Sequence, residues 1–373
     1  MKWLMLCLMA AGMIWVSPFT SAQDRGIATA IDWNPDGETI AIGSITGVWL
    51  FDNEFNELGH VEFKNVEQSK TDFVGSPLYL AWNATGNLLA VGLPEYSTEC
   101  PIRIIDVNKL QVISEIELGS LAPAILWHPE DNMVLSGPAI GAIQIWDALT
   151  RKELSYIEFD ELHARTTALC WLTEDTVAIA RRWNAADYDI DIVDIAASRI
   201  LSTFHHHSIG TSDCNRKRQL ISITGYLVDL KTGEDAQVFN DAVFVPVENE
   251  YTDGYFRHVL AVSWSPDSRR FVMHQEGCQV HVFDAATGES LAKLSGGVFH
   301  DGAYSRFPDS IAWHPDGTRF AVVGQFGDIR VWSAETYHLL QRFDGFSMND
   351  LGGWLMHASA DVLHEAMREC DLQ

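Results

Sequence analysis

Cysteine is scarce in this chain, six residues in 373, and Cys7 falls within the first 22. So low a fraction excludes a disulfide-dense scaffold, and a hydrophobic core must hold the fold. Basic residues are scarce too, 25 Lys and Arg against 51 Asp and Glu, a formal charge of −26. Phosphate affinity comes from clustered Lys and Arg, so neither a nucleic acid nor an anionic membrane surface suits this balance, whereas a cationic partner does. Long apolar runs are missing apart from Trp3–Val16, which is shorter than the roughly 20 residues that span a bilayer. Lys2 precedes that run, Ser17-Pro18 interrupts it, and Thr20-Ser21-Ala22 closes it with small residues. This is the pattern of a secretory signal cleaved after Ala22. Cys7 lies too early for a lipoprotein site. The expected mature chain is secreted or periplasmic, without stable membrane insertion, and monomeric. No nucleophile elbow, P-loop or HExxH string occurs, so no catalytic residue, resident metal or cofactor is expected.

What the chain has in quantity is a repeated phrase. Residues 308–337 run from an apolar stretch ending at Trp313, through His-Pro-Asp-Gly317, to a second apolar stretch closed by Gly324 and a third ending at Trp332. Pro presets φ, Asp tolerates turn geometry and Gly supplies φ > 0, so these are short strands joined by tight reversals. The opening anchor recurs as Trp33, Trp82, Trp127, Trp171, Cys214, Trp264 and Trp313, at spacings of 49, 45, 44, 43, 50 and 49 residues. Each unit closes its third strand with an apolar residue and usually Asp: Phe51-Asp52, Ile105-Asp106, Trp146-Asp147, Val193-Asp194, Val228-Asp229, Phe283-Asp284 and, with Ser instead, Trp332-Ser333. Seven units of one period predict an all-β fold, a seven-bladed β-propeller of four-stranded antiparallel blades. Its expected extent is residues 23–346.

These residues resemble the WD-repeat family over about 27–345. Trp146-Asp147 and Phe283-Asp-Ala-Ala-Thr-Gly288 are similar to the family's strand-ending dipeptide and the turn after it. The Gly-His that usually opens a repeat survives only as Gly59-His60, and the Asp of the turn before the third strand is mostly absent. The resemblance therefore implies the propeller, not the family's buried His–Asp tetrad. The Trp-Ser-Pro-Asp phrases also look like the propellers of the periplasmic Tol system and of prolyl-peptidase lids.

Each anchor tryptophan is expected in the wedge between neighbouring blades, where burial of ~200 Å² contributes at most about 5 kcal/mol. Trp49, Trp146 and Trp332 do the same from third strands, while Trp183 falls in a loop. Blade five, about 212–239, lacks its Trp and its Pro-Asp-Gly turn, and Ile223–Leu227 reads as running nearly straight. It is the expected weak point. Of the five cysteines after the signal, Cys170 and Cys214 sit in first strands as small buried residues, leaving Cys100, Cys278 and Cys370 as bridge partners. Asn83-Ala-Thr85 is a formal glycosylation acceptor in a turn. With little chain before the first strand, ring closure is expected by packing alone, without a strand lent from the other terminus. Residues 347–373 form a tail, in which Val362, Leu363, Ala366, Met367 and Cys370 share one face of a short C-terminal amphipathic helix over 359–369.

Loop length supplies the functional clue. With strands a to d in each blade, the a–b and c–d turns share one face and are short throughout. The long insertions, Asn65–Gly75, Pro94–Pro101, Arg181–Asp189, His205–Ser212, Asn240–Arg257 and Gly297–Pro308, all fall on the other, a one-sidedness that marks a binding face. Within it, Phe244, Tyr251, Tyr255, Phe256, His258, His300, Tyr304 and Arg306 are the candidate binding residues, because aromatics and Arg anchor interfaces. Glu248, Glu250, Asp253 and Asp301 would rim them with negative charge, which suits a protein, peptide or glycan partner carrying basic or polyhydroxyl groups. His205–His207 read as strand-end histidines rather than metal ligands. Asp187, Asp189 and Asp191 share one face of an extended segment, where a hard cation is the alternative to plain solvation. Two function classes remain: an exported, non-enzymatic binding scaffold, and a propeller hydrolase or lyase. The second requires Tyr188, His258, His300, Tyr304 and carboxylates to converge at the channel mouth.

Overall fold

The computed structural model describes residues 25–63, 79–92, 101–118, 124–159, 165–182, 187–207, 212–238, 244–245, 255–256, 259–295 and 311–346, apart from 27, 45, 131, 138–141, 224–225, 276–278 and 325–326. The expected signal segment, the C-terminal helix, Trp183, Cys100, Cys278 and Cys370 lie outside these residues. Blade one is β1 (Ala28–Trp33), β2 (Ile40–Ser44), β3 (Gly47–Phe51) and β4 (Glu57–Glu62). Blade two is β5 (Tyr79–Trp82), β6 (Leu88–Gly92), β7 (Ile102–Asp106) and β8 (Gln111–Ile116), and blade three is β9 (Ala124–Trp127), β10 (Met133–Gly137), β11 (Ala142–Asp147) and β12 (Glu153–Glu158). Blade four is β13 (Arg165–Trp171), β14 (Thr176–Arg182), β15 (Asp187–Asp194) and β16 (Arg199–His207), and blade five is β17 (Ser212–Asn215), β18 (Leu220–Ile223), β19 (Tyr226–Asp229) and β20 (Asp235–Val238). A ribbon of β21 (Phe244–Val245) and β22 (Tyr255–Phe256) follows. Blade six is β23 (Val259–Trp264), β24 (Arg270–Gln275), β25 (Gln279–Asp284) and β26 (Ser290–Ser295), and blade seven is β27 (Ile311–Trp313), β28 (Arg319–Val323), β29 (Ile329–Ser333) and β30 (Leu339–Phe343). Each blade is an antiparallel meander in chain order, the seven-bladed all-β propeller that the repeats predict.

Turn chemistry explains the regularity. Gly37, Gly86 and Gly317 occupy the same a–b turn position with φ of 77°, 69° and 74°, and Ser268 takes it in blade six at 65°. Every c–d turn likewise carries one left-handed residue: Phe55, Leu110, Arg151, Ser198, Gly233, Gly288 and Tyr337. The aspartate that ends the third strand organises this turn. Asp147 Oδ1 accepts the Leu149 and Thr150 N–H groups at 3.1 and 2.7 Å, and Asp284 Oδ1 accepts those of Ala286 and Thr287 at 2.8 Å each. Those backbone N–H groups hold both carboxyls below the ordinary carboxylate range. Ser333 Oγ accepts the equivalent N–H groups in blade seven, which is why Ser suffices there.

The core is not one mass but seven wedges, one per seam between blades. The anchor of each blade points at the preceding one: Trp82 packs with Ala30, Ala41 and Val48, Trp127 with Leu88 and Ala90, Trp313 with Val272 and Val280. Indole Nε1 of Trp82, Trp127 and Trp313 donates to the carbonyl of the residue just before the previous anchor, Asp32, Ala81 and Ser263, at 3.4, 2.7 and 3.1 Å. On the tight-turn face, residues just after the anchors reach forward. Asn34 Nδ2 donates to the Gly86 carbonyl at 2.8 Å, His128 Nε2 to that of Glu174 at 3.0 Å, and His314 Nε2 to that of Gly37 at 2.9 Å. The last bond closes the ring between blades seven and one. Among the described residues closure uses no shared strand, since β1 and β27 belong to separate sheets. Trp33, Trp49 and Phe51 pack instead with Ala312, Ala321 and Phe346.

At the rim a turn residue of one blade lies against the outer strand of the blade before it. Leu110 lies on Gly59, where any Cβ would collide with its side chain, and Gly233 lies on Phe204 in the reverse assignment of large and small.

Three expectations are corrected by this geometry. Cys170 and Cys214 are not separate core residues but a disulfide, with Cα atoms 6.0 Å apart. The reason is the register just described: an anchor faces the residue before the previous anchor, and those residues are Cys214 and Cys170. Blade five does not run straight through its middle, because Ile223 pairs with Tyr226 in antiparallel register and all four strands are present. Asn83 is buried, with Nδ2 donating to Thr85 Oγ1 and Asn87 Oδ1 and Oδ1 accepting the Leu88 N–H. Its amide is committed to shaping the turn.

Candidate interaction face

Because every blade is a simple meander, the b–c and d–a connections share one end of the ring. Blade four is raised there. Its strands hold 7, 7, 8 and 9 residues, against 4 in each strand of blade five. At about 3.3 Å per residue, each described strand of blade four is roughly 10 Å or more longer than its counterpart in blade five. In the stretches expected as loops over Arg181–Asp189 and His205–Ser212, the described residues are strand: Arg181 pairs with Asp189 and Asp189 with His205. Polar composition suggested loops, but these side chains satisfy one another.

Arg181 is the centre of that satisfaction. Its Nε lies 2.5 Å from Asp191 Oδ2 and its Nη2 3.5 Å from Asp189 Oδ2, with all three residues buried. The guanidinium also covers the Phe159 ring of blade three at 4.1 Å. Thr203 Oγ1 donates to Asp191 Oδ1 at 2.6 Å, and His205 Nδ1 meets Asp189 Oδ1 at 2.5 Å. Asp189 and Asp191 of that carboxylate row are thus members of a salt-bridged network. Among the described residues no three His, Cys, Asp or Glu side chains converge as a metal site. His206 turns the other way, as alternate strand residues must. Its Nε2 lies 2.7 Å from Asp235 Oδ1 and its ring meets Tyr226 of blade five edge-on at 4.9 Å.

Other seams are capped at this end by the same partnership of Arg and aromatic ring. Arg103 covers Phe63 at 4.8 Å, and Arg25 covers Phe51 and Phe346 at 5.4 and 5.8 Å. Arg330 instead binds Asp328 at 3.0 Å and Ser295 Oγ at 2.9 Å. Sequence reasoning missed these caps, although Arg103 and Arg330 stand at one repeat position, second in the third strand.

Of the predicted binding residues, the structure brings together three. Asn240–Arg257 contains an antiparallel ribbon, with Phe244 opposite Phe256 and Val245 opposite Tyr255. Tyr251, His258, His300, Tyr304 and Arg306 lie outside the described residues. Tyr188, which a channel-mouth catalytic cluster would need, is buried in the seam between blades four and five. The inner strands hold two carboxylates at one repeat position, directly before the anchor: Asp32 in blade one and Asp213 in blade five. Burial pushes them up to about 7 and about 6. Asp213 Oδ1 accepts the Cys214 N–H at 2.7 Å and its Oδ2 accepts the Trp264 N–H of blade six at 3.0 Å.

No family model matches the chain. WD repeat-containing protein 1 of Gallus gallus is 28% identical to it over 193 residues, and the Bos taurus protein of that name is 26% identical over 190. Each match takes in 49% of this chain and 30% of the relative, so the chain spans under a third of the relatives it matches. The period, the meander and these matches agree. The chain is a seven-bladed β-propeller, consistent with the WD-repeat family. Among solved structures, its fold is shared with a chain of the Kuenenia stuttgartiensis hydrazine synthase, at TM-score 0.63, 14% identity and coverage of 86% of this chain and 99% of that one. A chain of the mitotic checkpoint complex gives 0.61 at 14% identity (82% and 86% covered), and the Myceliophthora thermophila Cps50 propeller gives 0.60 at 15% (83% and 97%). WD-repeat propellers typically serve as protein-binding scaffolds. This one is degenerate where the sequence says so. His60 of the surviving Gly-His is not part of a buried tetrad; its Nδ1 lies 2.8 Å from Glu57 and its ring stacks on Trp49 at 6.1 Å.

Proposed function

We propose that this WD-repeat propeller is an exported, non-enzymatic scaffold that binds its partner on the face carrying the b–c and d–a connections. The asymmetry between its two ends carries the reading. The a–b and c–d end is closed by tight, hydrogen-bonded turns, whereas the opposite end carries the long connections, the raised blade four and the ribbon at Phe244–Phe256. Loops that grow on one face of a rigid ring are where such folds meet other molecules. The excess of acidic residues supports a partner with basic or polyhydroxyl groups. Export is supported by the signal pattern over 1–22 and by the Cys170–Cys214 bridge, a bond that persists in oxidising compartments.

The test pairs two measurements. Secreted chain is expected to begin at Gln23 when its N-terminus is sequenced. Immobilised wild type is expected to retain a partner from its own secreted fraction, and Tyr255→Ala with Tyr304→Ala is expected to lose it at an unchanged thermal transition. Elution by free polylysine would identify a basic partner, and elution by soluble oligosaccharide a glycan. Undiminished capture by the double variant would place the site elsewhere.

A further inference from the structure

In six seams a tryptophan from the later blade fills the wedge; at the seam between blades four and five the residue in that place is Cys214. A cysteine cannot fill an indole's volume, and the seam is completed by other means. Cys214 is bonded to Cys170 of blade four, around which Tyr188, Ile190, Ile221 and Val228 pack. The adjacent residue acts in the opposite direction, since Asp213 accepts the Trp264 N–H of blade six. Blade five is thus held on one side by a covalent bond and on the other by a carboxylate, through consecutive residues of one four-residue strand.

We propose that blade five is redox-latched: the Cys170–Cys214 bond stands in for the missing tryptophan, and the ring is locked at this seam only after a thiol–disulfide system has acted. The oxidant is an external disulfide, such as that of an oxidised dithiol catalyst. One cysteine thiolate attacks it to form a mixed disulfide and releases one external thiol. The second cysteine then displaces the other external sulfur as a second thiol. The Cys170–Cys214 pair has lost two electrons and two protons, and the external disulfide has gained both. A dithiol reverses the process and unlatches the seam. This inference does not depend on the scaffold reading, because its readout needs no partner.

The experiment is hydrogen exchange with mass spectrometry on the full mature chain, folded oxidised and then treated natively with dithiothreitol. Amides of 212–223 and 226–238 are expected to exchange about tenfold faster or more after reduction, while those of blade one and blade seven keep their rates. Cys170→Ala/Cys214→Trp is expected to exchange slowly in blade five with and without dithiothreitol, because the indole restores the wedge. If that variant does not fold, Cys170→Ala/Cys214→Ala supplies the comparison and must match the reduced wild type. Absence of a 170–214 cross-linked peptide from the oxidised protein would overturn the proposal. So would unchanged exchange in blade five on reduction, or a rise shared equally by all blades.

Discussion

Blades four and five are neighbours in one ring and solve the same problem in opposite ways. Blade four has the longest strands, a tryptophan anchor, and a buried Arg181–Asp189–Asp191 network that holds its raised edge. Blade five has four-residue strands, no anchor tryptophan, and a disulfide with a carboxylate in its place. The contrast teaches that a propeller seam needs closure, not any one residue. Apolar volume, a covalent bond and a buried ion pair each provide it, but they fail under different conditions.

Substitutions can break this comparison from either side. The largest effect is expected from Arg181→Ala, which leaves two buried carboxylates without their cation and should cost about 3–5 kcal/mol. Chemical denaturation measures it, and a loss under about 1 kcal/mol would mean the network is effectively solvated. Trp313→Ala should cost a similar ~3–5 kcal/mol through cavity formation. On the other side, Cys170→Ser/Cys214→Ser opens a loop of 44 residues and should lower stability by up to roughly 4 kcal/mol. Reducing agent should then have no further effect on that variant.

A smaller effect sharpens the rim. Gly233→Ala forces a Cβ into the Phe204 ring at a position with φ of 73°, and should cost about 1–3 kcal/mol. Adding Phe204→Leu should recover part of the loss, and a strictly additive double variant would show that the two do not share a contact.

The last effect is a slope with pH. Asp213 and Asp32 have carboxyls lifted by burial to about 6 and about 7, so the folded chain holds these protons more tightly than the unfolded one. Their contribution to stability is complete below the model-peptide value of about 3.9 and is lost as pH rises through about 6 and about 7. Thermal transitions of wild type should fall over that window relative to Asp32→Asn/Asp213→Asn. Parallel profiles would mean that neither carboxyl is shifted.

Much of this fold was legible in the sequence because its signals are local. Trp33 through Trp313 name the inner strands, Pro-Asp-Gly names the a–b reversals, and Asp147 or Asp284 names the c–d turn, each within ten residues of what it organises. What escaped was set by partners across a seam or a strand pair. Cys170 and Cys214 look like ordinary small core residues until the anchor register of one blade is laid against the next. Arg181, Asp189 and His205 look like a solvated loop because their charges cancel only after β14, β15 and β16 pair. Asn83-Ala-Thr85 matches an acceptor pattern that carries no information about burial. The binding residues were the least legible: a patch of Tyr, Phe and Arg is defined by where long connections settle, and only Phe244, Tyr255 and Phe256 belong to described strands.

The seam between blades seven and one has a further consequence for how the chain can be rearranged. Arg25 Nη1 donates to the Gly345 carbonyl at 3.4 Å, and its guanidinium covers Phe346, so the two ends of the ring lie side by side. Because blades one and seven each complete their own sheet, no strand would be torn if those ends were joined and the backbone opened at another seam. A circular permutant with 25 linked to 346 and new ends at 160–164 would keep every blade whole, as well as the bridge between blades four and five. The order in which the blades leave the ribosome could then be chosen independently of the ring they build.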